Sequence, residues 1–219
     1  MTIVQNRREF ISMIRRRVKP GTGSCFDFLN RRTAMIDWLD LRPILDGISW
    51  VVVGGVATRA YMPERATQDL DILLHISDKD EVLKRLTEAD YKVVSSLSIH
   101  GFSLRSPNGI MLDVLMGDYN WLSEAMVNLK EDMAGYPVLD LPYLVLMKLE
   151  SSRTQDLADI SRMLGLATEL MRDRVRHVIS HYAPQDVEDV ESLIYLGQLE
   201  IAATKSENIS RNKIPTSPF

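Results

Sequence analysis

The segment Trp50 to Leu74, WVVVGGVATRAYMPERATQDLDILL, constrains this chain more than any other. An apolar run ends in the adjacent glycines Gly54 and Gly55, and a second apolar run carries Asp69 and Asp71 at alternate positions. Side chains of a strand alternate between faces, so the two carboxylates point one way while Leu70 and Ile72 enter the core. Neighbouring carboxylates repel and cost stability unless a cation lies between them. A divalent metal is the natural occupant, so the segment predicts chemistry as well as fold.

Around it, the composition is that of a globular protein with a full core: 219 residues, 45% hydrophobic and 26% charged. A net charge of -4 argues against a long, uniformly basic nucleic-acid groove, while leaving room for a local basic patch. The single cysteine, Cys25, excludes an intrachain disulfide framework and fits a reducing compartment. No apolar run approaches membrane-spanning length, and the basic N-terminus lacks the apolar stretch of a secretory signal; a cytoplasmic protein is expected.

Four regions are expected: a helical N-terminal extension over 1–46, an α+β core over 47–140, a helical region over 141–203, and a flexible polar tail over 204–219. In the first, residues 5 to 18 form an amphipathic helix with Phe10, Ile11, Ile14 and Val18 on one side and Arg7, Arg8, Arg15 and Arg16 elsewhere; a second helix spans about Phe26 to Leu45. In the core, β-branched and apolar runs predict strands at Trp50 to Val53, Leu70 to His75, Tyr91 to Ser95, Gly101 to Arg105 and Ile110 to Met116. Helices are expected just after the glycines, over Val56 to Tyr61, and over Asp78 to Ala89. Pro107-Asn108-Gly109 reads as a hairpin turn. Beyond Asp140 the pattern is helical, with Pro142 suited to a first turn.

Three pieces in order carry the chemistry: Gly54-Gly55, then Arg65-x-Thr67-x-Asp69-x-Asp71, then Asp113 within Ile110 to Leu115. Glycines at a strand-to-helix turn let backbone N–H groups approach phosphate oxygens. Asp69 and Asp71 suit two Mg²⁺ ions, or Mn²⁺ in their place, because hard cations prefer carboxylate and phosphate oxygens. Two such ions about 3.5–4 Å apart stabilise both oxygens of an in-line displacement. Asp113, on a later strand, is either a third ligand or the group that activates an acceptor hydroxyl. Taken singly, a glycine pair marks a turn and D-x-D a polar strand edge; their order and combination is what is specific.

These residues resemble the DNA polymerase β-like nucleotidyltransferase superfamily, and within it the AbiEii-type and minimal nucleotidyltransferase branch. The branch resemblance rests on Arg65-Ala66-Thr67-Gln68-Asp69-Leu70-Asp71 and on Leu146-Met147-Lys148-Leu149 followed by Arg153, Asp156 and Asp159. It spans roughly Ser49 to Leu166. It implies a polymerase β-like mixed sheet flanked by helices, catalytic and metal-binding roles for Asp69, Asp71 and Asp113, and nucleotide contacts from Gly54, Gly55, Thr58, Arg65, Thr67 and Lys148. Arg153, Asp156 and Asp159 fall in the same pattern. Val56 and Ala57 depart from it, since a hydroxyl commonly follows the second glycine and here Thr58 is the first.

The resemblance implies Mg²⁺-dependent transfer of a nucleoside monophosphate from an NTP to a hydroxyl acceptor. In the AbiEii direction the chain is the toxin of a toxin–antitoxin pair, with RNA or protein as acceptor and an antitoxin protein as partner. An antibiotic nucleotidyltransferase of the aminoglycoside type is the alternative; Asp186, Glu188, Asp189 and Glu191 would serve a polycationic small molecule. The third reading is a non-catalytic nucleotide- or partner-binding domain of the same fold, against which three retained acids argue.

Overall fold

The structure is a computed structural model that describes residues 3–17, 40–63, 67, 69–97, 100–127, 129–132 and 135–211. Cys25, Arg65, Gln68 and most of the helix expected over Phe26 to Leu45 lie outside the described residues. The chain divides into two compact units, one made of residues 32–144 and the other of residues 1–31 and 145–219.

The first unit is built on a seven-stranded mixed sheet in the order β3-β4-β5-β2-β1-β7-β6. Its strands are β1 (Trp50–Val52), β2 (Asp69–His75), β3 (Lys92–Ser96), β4 (Gly101–Arg105), β5 (Met111–Gly117), β6 (Lys130–Glu131) and β7 (Pro137–Val138). β2 pairs antiparallel with β1 and parallel with β5, while β4 pairs antiparallel with both β5 and β3. Alternation sets the faces: Leu70, Ile72 and Leu74 of β2 and Leu112, Val114 and Met116 of β5 are buried, and the alternate positions on the opposite face include the three aspartates. The expected mixed α+β architecture is therefore observed.

The helix after the glycines starts two residues earlier than expected, as α2 (Gly54–Ala57), and continues as a 3-10 turn through Ala60. α3 (Lys79–Glu88) presents buried Val82 and Leu86, as its stripe predicts. The short helix α4 (Leu122–Ala125) and the two-residue strands β6 and β7 give no periodic signal. Residues 40–45, read as the end of a helix, form an irregular stretch and turns that bury Leu41 and Leu45.

The second unit is helical: α1 (Ile3–Arg17), α5 (Leu141–Ser151, from Val145 onward), α6 (Thr154–Leu166), α7 (Glu169–Tyr182) and α8 (Val187–Arg211). The last helix runs through Arg211, past the point where polar composition marked a tail. α6 and α8 cross so closely that a Cβ on Gly197 would lie 1.9 Å from the Ser161 carbonyl oxygen and one on Gly165 would lie 2.6 Å from the Gly197 backbone. None of the described helices is long and apolar enough to cross a membrane.

Two buried ion networks organise this unit. Arg7, which amphipathicity placed on the polar side of α1, is 4% exposed. Its guanidinium donates to Asp189 at 2.8 Å, to Asp186, to the Leu149 carbonyl and to Ser152 Oγ. Four acceptors meet the planar fork of five donors, close to what burial of an arginine requires. In the second network Lys148 Nζ donates to Asp156 at 2.8 Å and Asp159 at 2.9 Å, and Gln155 donates to the other Asp159 oxygen. Burial works to raise the Asp156 carboxyl, but hydrogen bonding from Arg153, the Lys148 charge and the Ser151 hydroxyl outweigh it and hold it below its ordinary value.

Two outcomes follow from this packing. Gly197→Ala forces its new methyl into the Ser161 carbonyl and should cost about 1–3 kcal/mol, read as a lower urea midpoint; an unchanged midpoint removes the close crossing. The depressed Asp156 carboxyl contributes stability that is present above its unfolded value near pH 4 and is lost as pH falls through the lower folded value. Asp156→Asn should therefore cost about 1–3 kcal/mol at neutral pH and flatten the decline of stability below pH 4, measured by urea unfolding across pH.

Candidate metal centre

The site is assembled by strand register. In the parallel β2–β5 pair Asp71 stands directly opposite Asp113, and Asp69 opposite Met111. Asp69 lies two residues before Asp71 and so shares its face. One carboxylate oxygen from each of Asp69, Asp71 and Asp113 lies within 4.8 Å of the others, and all three residues are half-buried. Oxygens bound to a single Mg²⁺ at about 2.1 Å are about 3–4 Å apart, so the trio needs only small rotations to ligate one ion and has the width for a pair. An all-carboxylate, half-buried donor set selects hard cations such as Mg²⁺ or Mn²⁺ over thiolate- or imidazole-seeking metals. The Asp113 side chain makes no hydrogen bond or ion pair among the described residues.

The glycine turn touches this cluster directly. Gly54 has φ +62°, and a Cβ there would lie 1.9 Å from Asp71 Oδ2 and 2.5 Å from its Cγ. The Val53 N–H also donates to the Asp71 carbonyl at 2.9 Å, locking the turn to β2. The first glycine thus has a second reason to be glycine: the left-handed backbone, and the space that the Asp71 carboxylate fills.

The remaining expected residues divide. Thr58 is fully buried, and its hydroxyl donates to the Gly55 carbonyl at 2.7 Å, so it closes the turn. Thr67 is half-buried with Oγ1 3.4 Å from the Asp69 carbonyl. Lys148, Arg153, Asp156 and Asp159 come together with one another in the helical unit: Lys148 holds both acids, and the largely exposed Arg153 donates to Asp156 at 2.7 Å. Of the acids considered for a cationic acceptor, Asp186 and Asp189 are engaged by Arg7 and Glu191 by Arg176. Burial pushes the Asp186 carboxyl above its ordinary value in spite of Arg7.

One neighbour of the site was not singled out from sequence. Ser103 of β4 is 8% exposed and stands directly opposite Asp113. The turn at Pro107-Asn108-Gly109 carries the signal, because residues equidistant from Asn108 pair across the hairpin, and Ser103 and Asp113 are such a pair.

No protein-family model and no curated protein sequence matches this chain. Several solved structures are similar in fold. The antibiotic-resistance factor ANT(2'')-Ia, in its solution structure, is 14% identical with a TM-score of 0.41, over 78% of this chain and 94% of its own. The lincosamide antibiotic adenylyltransferase LnuA is 14% identical with a TM-score of 0.39, over 64% of this chain and 91% of its own. A CCA-adding enzyme in complex with CTP is 15% identical with a TM-score of 0.32, over 92% of this chain and 58% of its own.

Proposed function

We propose that the chain is a metal-dependent nucleotidyltransferase that moves a nucleoside monophosphate from an NTP to a hydroxyl acceptor. One observation carries the reading: ligand oxygens of Asp69, Asp71 and Asp113 converge within 4.8 Å on a half-buried face. Three carboxylates so placed destabilise a fold on their own, and a divalent cation bound to substrate phosphates turns that repulsion into binding. When bound, the ions supply positive charge for the triphosphate and for both the attacking and leaving oxygens.

The chain's own residues do the rest by position. Asp69 and Asp71, on β2, would hold the divalent cation that binds the phosphates. The backbone at Gly54 and Gly55, bare of side chains, lets phosphate oxygens come close beside them. Asp113, on the adjacent strand, would complete the ligand set and take the acceptor's hydroxyl proton. The freed oxygen bonds to the α-phosphorus while the bond to the β-phosphate breaks and pyrophosphate leaves, a displacement in which positioning and charge neutralisation supply most of the acceleration.

The test is label transfer from each α-labelled NTP with Mg²⁺ to RNA, protein and small-molecule acceptors, alongside Mn²⁺ binding followed by electron paramagnetic resonance. Asp69→Asn and Asp71→Asn should each lower transfer at least about 100-fold and weaken Mn²⁺ binding; full activity in either variant sinks the metal assignment. Gly54→Ala should weaken Mn²⁺ binding roughly tenfold, since its methyl displaces the Asp71 carboxylate, and should cost about 1–2 kcal/mol for a left-handed alanine. Unchanged Mn²⁺ affinity in that variant separates the turn from the metal site.

A further inference from the structure

The glycine turn is weak by itself and is held by its neighbours. α2 is four residues long, begins with two glycines and has no side-chain cap at its N-terminus. Each glycine costs a helix about 1 kcal/mol relative to alanine, and a helix this short persists only with tertiary support. The start of the turn meets β2, through the Val53 N–H and the Asp71 carboxylate beside Gly54. Its end is tied elsewhere. The Arg59 guanidinium donates to Asp132 Oδ2, through Nε at 2.7 Å and through Nη2, and the Tyr61 hydroxyl donates to the Leu139 carbonyl at 2.8 Å.

The Asp132 side chain is 2% exposed, and its two oxygens have separate tasks. Oδ1 accepts from the Tyr136 N–H at 3.0 Å, while the Asp132 backbone bonds the Tyr136 carbonyl and the Gly135 N–H. Those bonds already close the β6–β7 hairpin, so the hairpin has no need of Oδ2. Stability is not a sufficient reason either, because a buried ion pair contributes little relative to apolar groups of the same volume. What Oδ2 fixes is position. β7 pairs with β1 at Val138–Val52, and the Leu139 N–H donates to the Val52 carbonyl at 3.1 Å. β1 leads directly into the glycine turn, so the connections form a closed circuit: β1, glycine turn, Arg59, Asp132, hairpin, and β7 back to β1. The Arg59–Asp132 pair is the link that closes it.

We infer that Asp132 is a positioning residue for the nucleoside triphosphate: through Arg59 it holds the Gly54–Gly55 backbone where phosphate oxygens come to it. Without the pair the turn relaxes, whereas Asp69, Asp71 and Asp113 keep their places because strand register holds them. The consequence is selective. Binding of the triphosphate weakens, and binding of the bare divalent cation does not. The inference rests on the nucleotidyl-transfer reading, which supplies the triphosphate, and adds to it a residue of the hairpin that touches neither phosphate nor metal.

The full chain is titrated by calorimetry with the α,β-methylene analogue of each NTP in Mg²⁺, and with Mn²⁺ alone by electron paramagnetic resonance. The proteins are the wild type, Asp132→Asn, Arg59→Gln, the double variant and Arg59→Lys. Asp132→Asn keeps an oxygen for the Tyr136 N–H and loses the charge that holds Arg59. Its affinity for the analogue should fall about tenfold, with Mn²⁺ affinity within about twofold of the wild type. The double variant should bind no more weakly than the weaker single variant, since both substitutions break one contact. Arg59→Lys keeps the charge without the planar fork and should lie between; as the milder change, it carries the test if Asp132→Asn does not fold. Unchanged analogue affinity in folded Asp132→Asn or in Arg59→Lys, an equal loss of Mn²⁺ affinity, or losses that add in the double variant each overturn the inference and leave the nucleotidyl-transfer reading standing. A wild type that binds Mn²⁺ but none of the analogues overturns that reading, and the inference with it.

Discussion

Everything at the candidate centre depends on the register of the parallel β2–β5 pair. Asp71 and Asp113 are 42 positions apart in sequence and stand side by side only because seven consecutive residue pairs, from Asp69–Met111 to His75–Gly117, are aligned. The buried alternate residues of both strands hold that alignment. A slip of one residue would turn Leu70 and Ile72 outward and the aspartates into the core, which the apolar packing forbids. The apolar packing of the sheet therefore holds the three carboxylates together, and a cation among them would relieve their repulsion.

The helical unit solves its charge problem in the opposite manner. Arg7 and Lys148 are each buried among acids of the same unit, with nearly all donors matched. Such networks contribute little net stability relative to well-packed apolar groups, but removing one partner is expensive, so they fix which helices belong together. Arg7 ties α1 to the start of α8 and to the end of α5, and Lys148 ties α5 to α6.

What could be read from the sequence was whatever local chemistry alone decides. The D-x-D alternation specified a shared face, β-branched runs specified the strands, and Pro107-Asn108-Gly109 specified a hairpin and, by its centre, a register. Strand order was not legible, because nothing local says that β5 lies beside β2 or that β1 is on its other flank. Nor was the burial of Arg7: its partners lie about 180 positions away, and a helix pattern reads an arginine as solvated. Strands of two residues, β6 and β7, fall below the length at which periodicity exists. The link between Gly54 and Asp71 was invisible for another reason, since a glycine is noticed for its backbone and seldom for the neighbour that occupies its missing side chain.

That link bears on how such a site decays. Because the Asp71 carboxylate occupies the space of a Gly54 side chain, the two positions are not free to drift independently. A larger residue at 54 strains the fold for as long as Asp71 is present, whereas once Asp71 has shrunk, part of the barrier at 54 is gone and only the left-handed backbone still opposes change. Enlarging the residue at 54 is therefore easier after Asp71 has been shortened than before it.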